Sequence, residues 1–214
     1  SMLLALTLCV GAQATENTML KVGLKYGTNA LFTARLQNYN DTLSGSGYEF
    51  GYYDADRSFV PLAATDEQKI TVTVDSNAYV SGGVCYETRP TNYSTILGAY
   101  HIELLTAFGS YEEALAVAQS YPKGFVAYID GAYRVRVGNH ASYDESARVL
   151  SETDVLAYGA QIVTPSSTGV VVSVTDTDTV LFEFDCSGLR SLGVRPRSVS
   201  GEKTVTWFSG YRYY

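Results

Sequence analysis

The chain reads as an α+β protein: a four-stranded antiparallel sheet with two helices on one face, in the order β-α-β-β-α-β, set between β-rich flanks. Three observations predict this. Short apolar runs alternating with polar residues recur on both sides of the chain's middle, with turn residues between them. Between residues 98 and 164 the pattern changes to strand, helix, strand, strand, helix, strand, a split unit that packs two helices on one sheet face. The two helical stretches open alike, Ser110 with Glu113 and Ser142 with Glu145, each pair spaced as a capping box.

Residues 15–97 form a β-rich segment whose strands are MLKVGLKYG from Met19, GYEFGYYDADRSFVPLAA from Gly47 and QKITVTVDS from Gln68. Within it, Ala30 to Leu36 predicts a short helix behind Asn29 as cap. In the central unit, Ala114, Leu115 and Ala118 make the buried stripe of the first helix; Ala147, Leu150 and Val149 make that of the second. Asp130-Gly131, between FVAYI and AYRVRVG, is a two-residue hairpin turn that requires positive φ. In RVRVG, Arg134 and Arg136 share one face and Val135 and Val137 the other, so the valines pack on helices and the arginines are expected in solvent. Residues 165–214 are again β-rich, with TGVVVSVTD, TVLFEFD and KTVTWFSGYRYY as strands. The run from Tyr48 to Pro61 loosely echoes that from Phe182 to Pro196, either as two copies of a β-unit or through the repetitiveness of hairpins.

Composition narrows the function classes. Of 214 residues, 17% are charged and 46% apolar, the balance of a folded, β-rich extracellular protein. Lys and Arg total 15 against 22 Asp and Glu, a net charge of -7 with no basic run, so nucleic acid is not an expected partner. There are 18 tyrosines, whose rings offer an apolar face and a polar tip suited to sugars and equally suited to strands. Met2 to Ala14 is an apolar run closing on Ala12-Gln13-Ala14, read as a signal-peptide remnant over residues 1–14, the rival reading being a buried first strand. Cys9 would leave with such a signal. Cys85 and Cys186 then remain, either as one disulfide or as two buried thiols.

No catalytic residue, metal or cofactor is assigned. No Cys or His cluster has metal-ligand spacing, His101 and His140 lie far apart in sequence, and no Ser occupies a Gly-x-Ser-x-Gly elbow. The pairs Asp54/Asp56 and Asp176/Asp178 fall in turn-like segments, where Asp serves the backbone. Lys123-Gly124-Phe125 begins like an RNA-binding strand signature and departs from it at Val126 and Ala127.

Tyr133-Arg134-Val135-Arg136-Val137-Gly138, followed by Ala141-Ser142 and Glu145, resembles the second half of SPOR domains, in which a YRVRVG strand precedes a helix. Tyr100-His101-Ile102-Glu103-Leu104, with Ala107-Phe108 and Ser110 to Ala114, resembles the opening strand and turn of the same family. Asn139 and His140 stand where that family has Pro-Phe. The resemblance covers about a third of the chain and implies binding to peptidoglycan glycan strands stripped of their peptide stems. On it, Arg134, Arg136, Glu103, His101, Tyr100 and Tyr128 would form the glycan-binding face. For the arginines the alternative is a solvated strand face paired with Asp130 or Glu103.

The flanks, with LKVGLKYGTNAL near the start and TWFSGYRYY at the end, look like the leading region of stage II sporulation protein D (SpoIID/LytB) proteins. The PxEM and ALKAQA motifs of that family's lytic transglycosylase module do not occur here. The resemblance therefore implies a non-catalytic wall-binding region, secreted or wall-associated on the outside of a Gram-positive cell, with cell-envelope proteins as alternative partners.

Overall fold

The computed structural model describes residues 30–38, 45–155 and 158–197, together with the backbone of 206–208. The signal-like run, Cys9, Asn29, the strand expected from Met19 and the Ser209–Tyr214 tail lie outside the described residues.

Along the chain, β1 (Thr33–Gln37) is followed by β2 (Tyr48–Tyr53), β3 (Phe59–Thr65) and β4 (Lys69–Val74), then by three short strands, β5 (Ala78–Ser81), β6 (Val84–Tyr86) and β7 (Thr95–Leu97). Next come β8 (Tyr100–Leu104), α1 (Tyr111–Ala118), β9 (Gly124–Ile129), β10 (Ala132–His140), α2 (Tyr143–Glu152) and β11 (Ala160–Val163). The described chain closes with β12 (Val170–Val174), β13 (Val180–Asp185), β14 (Leu192–Pro196) and β15 (Thr206–Phe208).

Local chemistry accounts for the central elements. Ser110 and Ser142 cap α1 and α2, accepting from the amides of Glu113 and Glu145 at 3.2 Å each. The two glutamates reach back to the amides of Gly109 and Ala141. Ala114 and Ala118 are small enough to seat α1 close on the sheet; on α2 the buried residue is Ser146, with Val149 and Leu150 only partly buried. Asp130 and Gly131 both take positive φ, as a tight hairpin between β9 and β10 demands.

The expected α+β architecture is overturned at the level of the sheet. The strands β9-β10-β8-β11 do lie side by side, but they are half of an eight-stranded sheet in the order β1-β4-β12-β13-β9-β10-β8-β11. The described residues are mainly β, with two further sheets among them, β15-β14-β2-β3 and β6-β5-β7. The physical reason lies at β9. A strand edge left bare carries unpaired amides and carbonyls, and here β13 satisfies them by parallel pairing from Phe182↔Val126 to Asp185↔Ile129. The three segments read from the sequence thus contribute to one sheet.

Ala30 to Leu36 is also corrected: from Thr33 it is strand, paired antiparallel with β4 from Thr33↔Thr73 to Gln37↔Lys69. Helix propensity is a weak prior there, and pairing with a neighbouring strand overrides it.

Parity along the strands sorts two layers. Val135, Val137, Val126, Ile102, Phe182, Phe184, Val170 and Val172 point to the main core, under the helices and the β15-β14-β2-β3 sheet. Phe50 of β2 stacks on Phe182 with ring centroids 5.7 Å apart, and the Tyr133 hydroxyl donates to the Leu62 carbonyl of β3 at 3.0 Å. The opposite face is covered at its β4–β12 end by the β6-β5-β7 sheet, where Ala78 and Leu97 pack on Val171.

Candidate functional site

The residues named from the sequence fall into three environments. His101, Glu103 and Arg136 lie on the face opposite the main core, and all three are buried. Arg136 was expected in solvent; instead its guanidinium is held between two carboxylates. It donates to Glu103 Oε2 through Nε at 2.9 Å and Nη2 at 2.8 Å, and through Nη1 to Glu183 Oε1. Burial alone would lower the Arg136 pKa, but Glu183 and Glu103 outweigh it and raise the value above that of an ordinary arginine. Glu103 Oε1 accepts in addition from Gln161 of β11 at 3.0 Å.

Register explains how Arg136 reaches Glu183. Thr73, Val171, Glu183, Ala127 and Arg134 form one row across five strands, and Phe125, Arg136, Glu103 and Gln161 form the next. Between β10 and β13 stands β9, which on this face carries Phe125 across from Arg136 and the fully buried Ala127, no more than a methyl, across from Glu183. A longer side chain would stand in the guanidinium's way.

His101 is 1% exposed and its Nδ1 lies 2.7 Å from the Gly138 carbonyl, so Nδ1 carries the proton and donates. Its Nε2 is left as an acceptor 3.9 Å from Glu183 Oε2, and neither atom has a hydrogen-bond partner. Burial pushes the His101 pKa down. Asp75, just past β4, borders the same network; its Oδ2 accepts from the Ser166 amide at 2.7 Å while Oδ1 is unpartnered. Burial, and after it the neighbouring Glu183, push Asp75 up to about 8.

Tyr128 is on the other side of the sheet, 7% exposed in the main core between Tyr133 and Phe184. Burial raises its hydroxyl to about 12. Only Arg134 and Tyr100 keep partial access to solvent, and Arg134 donates to the Leu105 carbonyl at 3.1 Å. The six residues therefore do not converge on one open surface. Cys85 and Cys186 are free thiols, Cys85 packed in the small core under β6-β5-β7 and Cys186 buried in the main one.

The surface best built for a ligand is one the sequence reading passed over. In the β6-β5-β7 sheet, Gly82 and Gly83 both have positive φ and make a two-residue turn, pairing Tyr79 directly across from Tyr86. Ala78, Val80, Cys85 and Leu97 share the inward parity, which leaves Tyr79, Val84 and Tyr86 on the outward face. Tyr93 meets Tyr79 edge-on at 5.3 Å, and the Arg89 guanidinium lies 5.2 Å over the Tyr93 ring. Val84, Tyr86 and Tyr93 are 49%, 43% and 36% exposed. The signal was in the sequence: each tyrosine stands three residues from its nearer turn glycine in YVSGGVCY, which places both on one face of a hairpin.

No protein-family model matches the chain. Neither a curated protein nor a solved structure matches it. Among the described residues no group of three or more His, Cys, Asp or Glu could hold a metal ion, and no helix is long and apolar enough to cross a membrane. Asp54 accepts from the Ser58 amide in a turn, while Asp176 and Asp178 pair with Arg35 and Lys123.

Proposed function

We propose that this chain is a non-catalytic glycan-binding part of an exported cell-envelope protein, with a peptidoglycan glycan strand lying across the outward face of β6-β5-β7. The observation that supports it is the tyrosine cluster on and beside this sheet: Tyr86 and Tyr93 are exposed, the partly buried Tyr79 stands across from Tyr86 and edge-on to Tyr93, and Arg89 lies over the Tyr93 ring. Sugars that stack on such rings order few protein torsions, because a tyrosine side chain has only two angles to fix. Arginine adds donors for hydroxyl and acetamido oxygens.

Relative to the sequence reading, the ligand is kept and the binding face is moved. The SPOR-like resemblance implies the sugar but assigns it to Arg136, Glu103 and His101, whose polar atoms are engaged in or buried with one another.

The test is a pull-down with amidase-treated and untreated peptidoglycan, run with the wild type, a Tyr79→Ala/Tyr86→Ala variant and an Arg134→Ala variant. Preferential binding to the treated wall is expected, weakened on the order of tenfold or more by the tyrosine pair and little changed by Arg134→Ala. Binding that survives the tyrosine variant and falls with Arg134→Ala would return the site to the eight-stranded sheet. Binding to neither wall would overturn the glycan reading and leave a protein-docking face.

A further inference from the structure

Arg89 is a cation without a carboxylate. Among the described residues Arg35, Arg136, Arg148, Arg195 and Arg197 each stand within ion-pair distance of an Asp or Glu, and Arg89 does not. Its side chain is exposed and its guanidinium lies 5.2 Å over the Tyr93 ring. Topology puts it there. Strands β6 and β7 pair antiparallel with β5 on its two sides, so the chain between them, residues 87–94, has to return across β5. Ser94 fastens the far end of that return, its amide and its hydroxyl donating to the Val80 carbonyl at 2.8 and 3.1 Å. Tyr93 is thereby laid edge-on against Tyr79, with Arg89 over it.

A guanidinium that rests its face on a ring keeps its N–H groups at the edge, in a fork that fits the two oxygens of a carboxylate. Stacking also orders that fork before a ligand arrives, which lowers the entropy cost of pairing. In a chain of net charge -7, an unpaired cation held in this way favours a negative group on the ligand.

We infer, resting on the glycan reading above, that Arg89 recognises the free carboxylate of an acidic amino sugar held against the tyrosines. That group is left on each muramic acid when its peptide stem is removed. In the intact wall the same carboxyl is the amide that carries the stem, and it has neither the charge nor the second acceptor oxygen. Hydrolysis of the amide restores both. Arg89 therefore makes the stem-free strand the preferred one, while Tyr79, Tyr86 and Tyr93 supply ring contacts common to stripped and intact sugars.

The test is calorimetric titration of the full chain with three probes: stem-free glycan strands, the same strands with their carboxyls converted to methylamides, and neutral N-acetylglucosamine oligomers. The wild type should bind the free acid on the order of tenfold more tightly than the methylamide. Added salt should shrink that preference, as it screens an exposed ion pair and leaves ring contacts alone. Arg89→Gln should erase the preference and leave methylamide binding unchanged. Arg89→Lys, which keeps the charge and loses the fork, should retain part of it. Arg57→Gln, which removes a charge from the exposed turn between β2 and β3, should keep all of it. Circular dichroism of each variant checks that the fold is kept. Equal binding of acid and methylamide by the wild type, or a preference that survives Arg89→Gln, would overturn the carboxylate assignment, with tyrosine-dependent binding still upholding the glycan reading. Binding to none of the three probes would overturn both.

Discussion

At the scale of single residues, Arg136 carries more structural consequence than any other polar side chain described. Removing one partner of a buried, hydrogen-bonded pair leaves the other charge stranded in a desolvated site, which costs on the order of 3–5 kcal/mol. Arg136→Ala strands two, Glu103 and Glu183, and its loss of stability should reach at least that range. Arg134→Ala removes one hydrogen bond to Leu105 from a half-exposed position and should cost no more than about 1 kcal/mol. Urea midpoints at constant m-value separate the two, and equal losses would contradict the burial assigned here. Alternation placed both arginines on one face correctly. It is silent on what lies beyond that face, because the second carboxylate comes from a strand 47 residues further along the chain.

At the scale of elements, the parts written in local chemistry were legible and the parts written in long-range pairing were not. The Ser caps, the Asp130-Gly131 turn and the two helices depend on residues within four positions of each other. β1 depends on β4, more than thirty residues away, and its Ala, Leu and Arg content pointed to helix instead. The tyrosine platform lies between these cases, since the Gly82-Gly83 turn that creates it is local. β9 supplies a prediction of its own. Ala127→Leu adds bulk at the point where Arg136 crosses to Glu183, so it should both overpack a full core and sever a buried pair. A loss of more than about 3 kcal/mol is expected, against under about 1 kcal/mol if that crossing were open space. A second change, Arg136→Met, made on top of Ala127→Leu should then cost less than it does alone, which a double-mutant cycle would measure.

At the scale of the whole molecule, opposite titrations shape one stability curve. His101 and His140, both lowered by burial, are neutral when folded, so their contribution is lost as pH falls below about 6.5. Asp75 is raised, and its contribution is lost as pH climbs toward about 8. Thermal unfolding should therefore find its highest midpoint near pH 6.5. A midpoint that rises monotonically to pH 9 would exclude this balance.

The sheet was the least legible feature, because alternation assigns faces and not neighbours. Nothing in TVLFEFD specifies a parallel partner at GFVAYI, and only the assembled order shows that β13 completes β9. That order also sets a timetable for the ribosome. β4 is made nearly a hundred residues before β12 arrives to cover its free side, and β9 waits some fifty for β13. Until about residue 185 has left the exit tunnel, the nascent chain carries open strand edges on both halves of its future sheet, each able to recruit a neighbouring chain. Exposure to neighbouring chains therefore lasts until β13 has emerged, and slowing translation before that point would favour aggregates over folded product.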